Sequence, residues 1–355
     1  MNTLQVSALH PWNEVKAAVC LRDRQRLPHA MLLAGPMGLG KNDFATWLAQ
    51  LLLCAKPSAN GNACGHCQGC RLFTAGTHPD LHVVQPEAVY KSSGTLMARY
   101  ALRYPPEKSK DSKDSTVIRI DQIRSLIDDA HSRPQIGACA VMLLSPADSM
   151  NVNASNSLLK LLEEPPPDSN LILVADRPSR LSATIRSRCA HMKFRVPPAK
   201  EALAWLQARD ISDVNARLLL ELAGGAPLAA LALVESGFLE QRAVLLDDIE
   251  KLANGQGDPM ACAARWKPLG ANRCLLWLQG WLSDLIITAM QAGATRLRNP
   301  DLGAHLQALE KRLDLNQLFH FTEGVARGRS LLGGPLDEQL FLEDMLIRWT
   351  ELCRR

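Results

Sequence analysis

The glycine-rich turn Gly35-Pro-Met-Gly-Leu-Gly-Lys-Asn42 limits what this chain can fold into more than any other stretch. An apolar run, Ala30–Ala34, leads into it. Lys41–Leu53 follows, with Phe44, Trp47, Leu48, Leu51 and Leu52 at helical spacing. Strand, glycine turn and helix make a phosphate loop: the glycines let backbone N–H groups face phosphate oxygens, the lysine neutralises β- and γ-phosphates, and a final Ser or Thr hydroxyl ligates Mg²⁺. Gly35, Gly38, Gly40 and Lys41 meet these needs. Asn42 stands where the hydroxyl belongs and reaches a metal only through a longer amide arm. The expectation is a nucleotide-binding α/β fold with a defective metal position; the competing reading is a glycine turn between an ordinary strand and helix.

At 355 residues the chain has room for two or three domains. It holds no run of about 18 uninterrupted apolar residues and no N-terminal signal pattern. A soluble, cytoplasmic protein without a membrane partner is therefore expected. A net charge of +4 permits contact with nucleic acid without arguing for it. Ten cysteines in such a chain point to metal or packing roles rather than a disulfide framework.

Four of them, Cys54, Cys64, Cys67 and Cys70, fall close together, the last three as Cys-Gly-His-Cys-Gln-Gly-Cys. Tetrahedral Zn²⁺ needs four converging thiolates, and two Cys-x-x spacings make a tight knuckle whose N–H groups also point at sulfur. Glycines 61, 65 and 69 allow the turns, Cys54 supplies the remaining arm, and His66 is a spare candidate. A closed site of four thiolates stabilises a fold and leaves no open coordination position for catalysis. Reduced packing cysteines or a catalytic thiol are the alternatives. Cys20, Cys139, Cys189, Cys262, Cys274 and Cys353 are scattered and read as buried small hydrophobes.

Short apolar runs alternate with helical patterns up to residue 195, the signature of a parallel α/β sheet. Strands are expected at 30–34, 81–85, 116–120, 138–145, 170–175 and 191–196. The polar segment 88–115 carries a net charge of +3 and reads as an exposed insertion with limited order. Asp121 is the expected cap of a helix over 122–131. Beyond Pro197-Pro198 everything reads as helix: a small bundle at 200–209, 213–223 and 227–236, then longer segments at 239–254, 272–292, 301–313, 316–332 and 336–353. Trp266, Trp277, Trp281 and Trp349 sit among leucines at helical spacing, as core residues do.

A phosphate loop that hydrolyses needs acidic residues at the tip of a neighbouring strand, one for Mg²⁺ and one to orient water. The strand at 138–145 ends instead in Ser145-Pro146-Ala147-Asp148. Asn42, Ser145 and Pro146 are separate losses within one constellation. Ser187-Arg188-Cys189 is expected on the turn before the strand at 191–196. Alone, its arginine reads as a solvated loop residue. In this segment it also reads as an arginine finger, a planar guanidinium reaching a neighbouring subunit's γ-phosphate.

The runs Leu27-Pro-His-Ala-Met-Leu-Leu-Ala-Gly35 and Asn156-Ser-Leu-Leu-Lys-Leu-Leu-Glu-Glu-Pro-Pro166, the cysteine insertion and Ser187-Arg188-Cys189 together resemble the bacterial clamp-loader AAA+ proteins. The resemblance implies a RecA-like α/β AAA+ domain with a parallel sheet and a zinc-binding insertion over 1–196, the zinc module being 54–70. It further implies a three-helix lid at 197–237 and an all-α collar at 238–355. The collar would join gamma/tau and delta subunits in a pentameric ring, acting on a sliding clamp and primed DNA as part of a DNA polymerase holoenzyme. Motif by motif, the match is to a non-hydrolysing member. Ser145 and Pro146 occupy the Walker B places of the ATPase subunits, Asp176 lies near their sensor threonine, and Leu228 lies where the lid presents a sensor arginine. Arg188, flanked by Ser187 and Cys189, is by the same resemblance the finger serving the adjacent ATPase subunit. Retention of Gly35, Gly38, Gly40 and Lys41 leaves weak nucleotide binding open. Two other classes compete: an active clamp-loader ATPase, which acids at 145 and 146 would have supported, and a zinc-containing DNA-binding module, for which the chain lacks a basic recognition helix and an aromatic stacking platform.

Overall fold

Runs of apolar residues without alternation cannot leave one face in water, so they pair inside a sheet covered on both sides. In the computed structural model, which describes residues 9–107, 114–290, 297–332 and 337–354, five strands do so. They are β1 (Ala30–Ala34), β2 (Leu81–Val84), β3 (Ala140–Leu144), β4 (Ser169–Ala175) and β5 (Ala190–Lys193). All pair in parallel, in the order β2-β3-β4-β1-β5. The register sets Ala34 beside Ala175 and Leu144 beside Leu173, so β1, β3 and β4 end side by side.

Eight helices accompany the strands: α1 (Glu14–Arg22), α2 (Lys41–Leu53), α3 (Gln68–Thr74), α4 (Glu87–Ser92), α5 (Leu96–Ala101), α6 (Ile120–Ala130), α7 (Val152–Glu163) and α8 (Ala183–Arg188). Leu32, Met142, Leu144, Leu171 and Leu173 share one core with Leu126 of α6, Leu158 of α7 and Ile185 of α8. Residues of the other parity turn to the opposite face, where α2 contacts β1, β3 and β4.

Residues 116–120 do not form the sixth strand expected. Only Ile118 makes a bridge, to Met150, and its backbone bonds go to Ser149 and Asn151 of a loop. Helix α6 has already begun at Ile120. Its start is set not by Asp121 but by Gln122, whose Oε1 accepts from Arg119 N at 3.0 Å while its Nε2 donates to Gln85 O and Tyr104 O. The segment 88–115 is not the loose insertion expected either, apart from 108–113, which lie outside the described residues. Helices α4 and α5 occupy it, and Tyr100 and Tyr104 are buried. Tyr100 Oη accepts from His78 N and donates to Phe73 O. Tyr104 Oη stands between His82 Nδ1 at 2.6 Å and Asp129 Oδ2 at 2.7 Å. A hydroxyl has one proton, so with that proton on Asp129 the oxygen accepts from the imidazole N–H.

The chain divides into two compact units after Pro197. In the second, α9 (Ala199–Gln207), α10 (Asp213–Leu222) and α11 (Pro227–Glu235) enclose Ala202, Leu206, Leu219 and Ala230. A larger core is built by α12 (Phe238–Ala253), α13 (Pro259–Trp266), α14 (Ala271–Ala289), α15 (Gly303–Glu310), α16 (Leu315–Leu331) and α17 (Glu338–Arg354). Helix α13 was not apparent from the sequence, and the helix expected at 301–313 is shorter, behind a 3-10 turn at Pro300–Leu302. Residues 291–292 and 336, expected at helix ends, lie outside the described residues. The four tryptophans are core as expected, Trp281 lying edge-on to Trp349 with ring centroids 5.4 Å apart. Among the described residues no single helix is long and apolar enough to cross a membrane.

Tyr104→Phe removes the hydroxyl that bridges His82 and Asp129 and leaves a buried imidazole N–H without an acceptor. It should lower stability by about 1–3 kcal/mol in urea unfolding of the full chain. A loss below about 0.5 kcal/mol, the range of an ordinary surface substitution, would count against a structural role for the bridge.

Candidate functional site

The phosphate loop connects β1 to α2. Gly38 and Gly40 adopt φ of +81° and +76°. A Cβ on Gly40 would lie 2.3 Å from His10 Cδ2, and one on Gly35 would lie 2.2 Å from Phe194 O. The segment before α1 braces the loop: Trp12 Nε1 and Asn13 Nδ2 both donate to Leu39 O, and His10 Nε2 pairs with Asp43 Oδ2 at 2.9 Å.

The side chains that would meet a nucleotide are engaged with the chain itself. The Lys41 side chain is 3% exposed, and an ammonium so placed needs a counter-charge. Its Nζ donates to Pro36 O at 2.6 Å and pairs with Asp176 Oδ1 at 2.7 Å, just past the end of β4. Asn42 Oδ1 accepts from Ser145 Oγ, just past the end of β3. Asp148, the first carboxylate after β3, is also committed: Oδ1 accepts from Asp176 N and Oδ2 from Arg177 N, both at 3.1 Å. The sequence placed Asp176 only near the position of a sensor threonine; its bond to Lys41 is a contact between distant parts of the chain that no local pattern signals. Leu228 is half-buried on α11, in the second unit.

Ser187-Arg188-Cys189 does not lie on a free turn as expected. Ser187 and Arg188 complete α8, which Ser182 caps by accepting from Ile185 N. Arg188 Nη1 donates to Thr184 O at 3.2 Å and Nη2 pairs with Glu163 Oε1 at 2.7 Å. Glu163 belongs to the Leu-Leu-Glu-Glu-Pro-Pro run at the end of α7, so the two motifs meet as one exposed ion pair. Ser187 Oγ donates to Thr184 O. Cys189 is buried in the sheet core, and burial pushes its thiol up to about 11, so it packs and does not react.

Cys54, Cys64, Cys67 and Cys70 bring their sulfurs within 4.8 Å of one another. Cys54 Sγ lies 3.7 Å from Cys64 Sγ and 4.0 Å from Cys67 Sγ. A tetrahedral ion at about 2.3 Å from each sulfur needs edges of about 3.8 Å, so the set can hold one. Backbone N–H groups of Cys64, Cys67 and Cys70 point at the sulfurs of Cys54, Cys64 and Cys67. Burial opposes ionisation of Cys67, yet donors including Cys70 N–H bring its thiol down to about 6. Burial raises Cys54 and Cys70. His66 is exposed and bonds Cys64 O through Nδ1, outside the cluster. Of the six scattered cysteines only Cys139 departs from the expected burial, being half-buried.

A family described as DNA polymerase III, delta subunit, matches residues 16–198, and one described as the C terminal part of that subunit matches 236–351. The DNA polymerase III subunit delta' of Pseudomonas aeruginosa is 34% identical over 97% of this chain and 98% of its own length. That of Escherichia coli is 27% identical over 96% of this chain and 94% of its own. A DNA polymerase III subunit gamma/tau from Mycobacterium bovis is 28% identical over 60% of this chain and 33% of its own. A parallel sheet carrying a phosphate loop, followed by helices alone, is the RecA-like AAA+ architecture that the motifs imply. Matched along nearly its whole length, the chain belongs to the family of DNA polymerase III delta prime subunits.

Proposed function

We propose that this chain is a non-hydrolysing subunit of a clamp loader, supporting the loading of a sliding clamp onto primed DNA while its chemistry acts in trans. One observation carries the reading: the positions that would ligate Mg²⁺ and orient water are spent inside the chain. Asn42 is bonded to Ser145, Lys41 to Asp176 and Asp148 to the backbone after β4, and Pro146 has no side-chain acceptor. The tip of β3 carries no carboxylate at 145 or 146, where a hydrolysing site holds Mg²⁺ and orients water.

Arg188 is then the residue with work to do. Its side chain is 36% exposed and, among the described residues, held by a half-exposed carboxylate and a carbonyl. Exposed ion pairs contribute about 0–1 kcal/mol, so a neighbour's triphosphate can displace Glu163. In this reading 1–196 is the AAA+ domain, 197–237 the lid and 238–355 the collar, assembling with gamma/tau and delta subunits in a pentameric ring. Gly35, Gly38, Gly40, Lys41 and Asn42 form a degenerate nucleotide site. Zn²⁺ is the metal that the four-thiolate set favours, and it would tie the loop between Cys54 and Cys70 to the end of α2.

The purified full chain should carry about one Zn²⁺, and Cys64→Ser with Cys67→Ser should release it and lower stability. Metal analysis finding no zinc in protein prepared without chelator would contradict this. Arg188→Ala should fold and join the ring, yet depress the ring's DNA- and clamp-stimulated ATPase. Arginine fingers contribute about 10³–10⁵ in GTPases, and the visible loss will be smaller where other sites keep working. Arg188→Lys should rescue poorly, since it keeps the charge but not the planar fork. An unchanged rate with Arg188→Ala and wild-type partners would reduce the residue to a surface arginine.

A further inference from the structure

We infer that Asp176 is the residue that keeps nucleotide off this phosphate loop: its carboxylate holds Lys41 where a triphosphate would, and removing that charge opens a polyphosphate site. The inference builds on the non-hydrolysing reading and names the group responsible for part of it. The loop retains the shape of an anion cradle, with Gly38 and Gly40 in left-handed conformations and Gly40 immediately before α2. A lysine at this position must be free to reach β- and γ-oxygens. Here two of its three donor protons are already used, on Pro36 O at 2.6 Å and Asp176 Oδ1 at 2.7 Å, and its side chain is 3% exposed.

Asp176 does not depend on Lys41 for its place. Its backbone N–H, and that of Arg177, are tied to the Asp148 carboxylate, and Ala175 before it is paired with Ala34. The side chain is 35% exposed, so the carboxylate stands at the mouth of the loop. It therefore acts twice against a triphosphate, by occupying the lysine and by presenting negative charge to an incoming polyanion. Ser145 and Asn42 lack charge and compete with neither role. Asp176→Asn keeps size and an acceptor oxygen for Lys41 while removing the charge, so its effect on binding separates electrostatics from shape.

The test is calorimetric titration of the full chain with inorganic tripolyphosphate and with ATP, without and with Mg²⁺. Asp176→Asn should bind tripolyphosphate at least about tenfold more tightly than wild type, equivalent to about 1.4 kcal/mol, and adding Lys41→Met should abolish the gain. The inference is overturned if folded Asp176→Asn shows wild-type affinity, or if the gain survives Lys41→Met. Should Asp176→Asn not fold, acetylation of wild type with acetic anhydride serves instead. Lys41 should react far more slowly than exposed Lys56 with or without tripolyphosphate, and protection that appears only on adding the anion would overturn the inference. Tight binding of ATP by wild type without turnover would overturn this inference alone; turnover would overturn the non-hydrolysing reading with it.

Discussion

The ion pair between Lys41 and Asp176 ties the phosphate loop to the end of the central strand beside it. A buried ammonium must have an anion within reach, and Asp176, the residue after β4, supplies it. The pair presupposes the sheet order. Because β4 lies beside β1 with Ala175 opposite Ala34, the residues that follow the two strands emerge about 4.8 Å apart, close enough for a side chain entering α2 to meet one leaving β4. Helix α2 also reaches β3, on the other flank of β4, where Ser145 Oγ donates to Asn42 Oδ1. Asn42 with Ser145 and Lys41 with Asp176 thus satisfy one another across that edge.

A second contact between distant motifs lies at the end of α8. The Leu-Leu-Glu-Glu-Pro-Pro run and Ser187-Arg188-Cys189 are separate in the chain but joined in space by Arg188 and Glu163. Within the short motif the labour is divided. Cys189 fills the core, while Ser187 and Arg188 are both exposed, Ser187 Oγ turned back onto Thr184 O and Arg188 paired with Glu163. The thiolate cluster is a third, independent element. Arg24 Nη2 on Cys54 O and Trp47 Nε1 on Asn62 Oδ1 fasten its loop to the body of the first unit.

Much of this was legible in the chain. The run 30–34 is a strand at those limits, and 81–85, 138–145 and 170–175 are strands within about two residues, the usual uncertainty of element ends, because buried parallel strands are apolar on both faces. Residues 116–120 look similar in composition but carry no information about a pairing partner, and only Ile118 finds one. The segment 88–115 misled because Lys and Ser dominate its composition, while its structure hangs on Tyr100 and Tyr104, whose hydroxyls find buried partners. The cysteine cluster was readable from spacing alone. The contacts of Lys41 with Asp176 and of Arg188 with Glu163 were not, since both join residues far apart in sequence through the order of strands and helices.

In the proposed reading this chain does not turn over ATP by itself. The most direct measurement is steady-state hydrolysis by the purified full chain in Mg²⁺, set beside Lys41→Ala prepared identically. The account predicts the same background rate for both. A wild-type rate above background that Lys41→Ala abolishes would contradict it and place the chain among the active ATPase subunits.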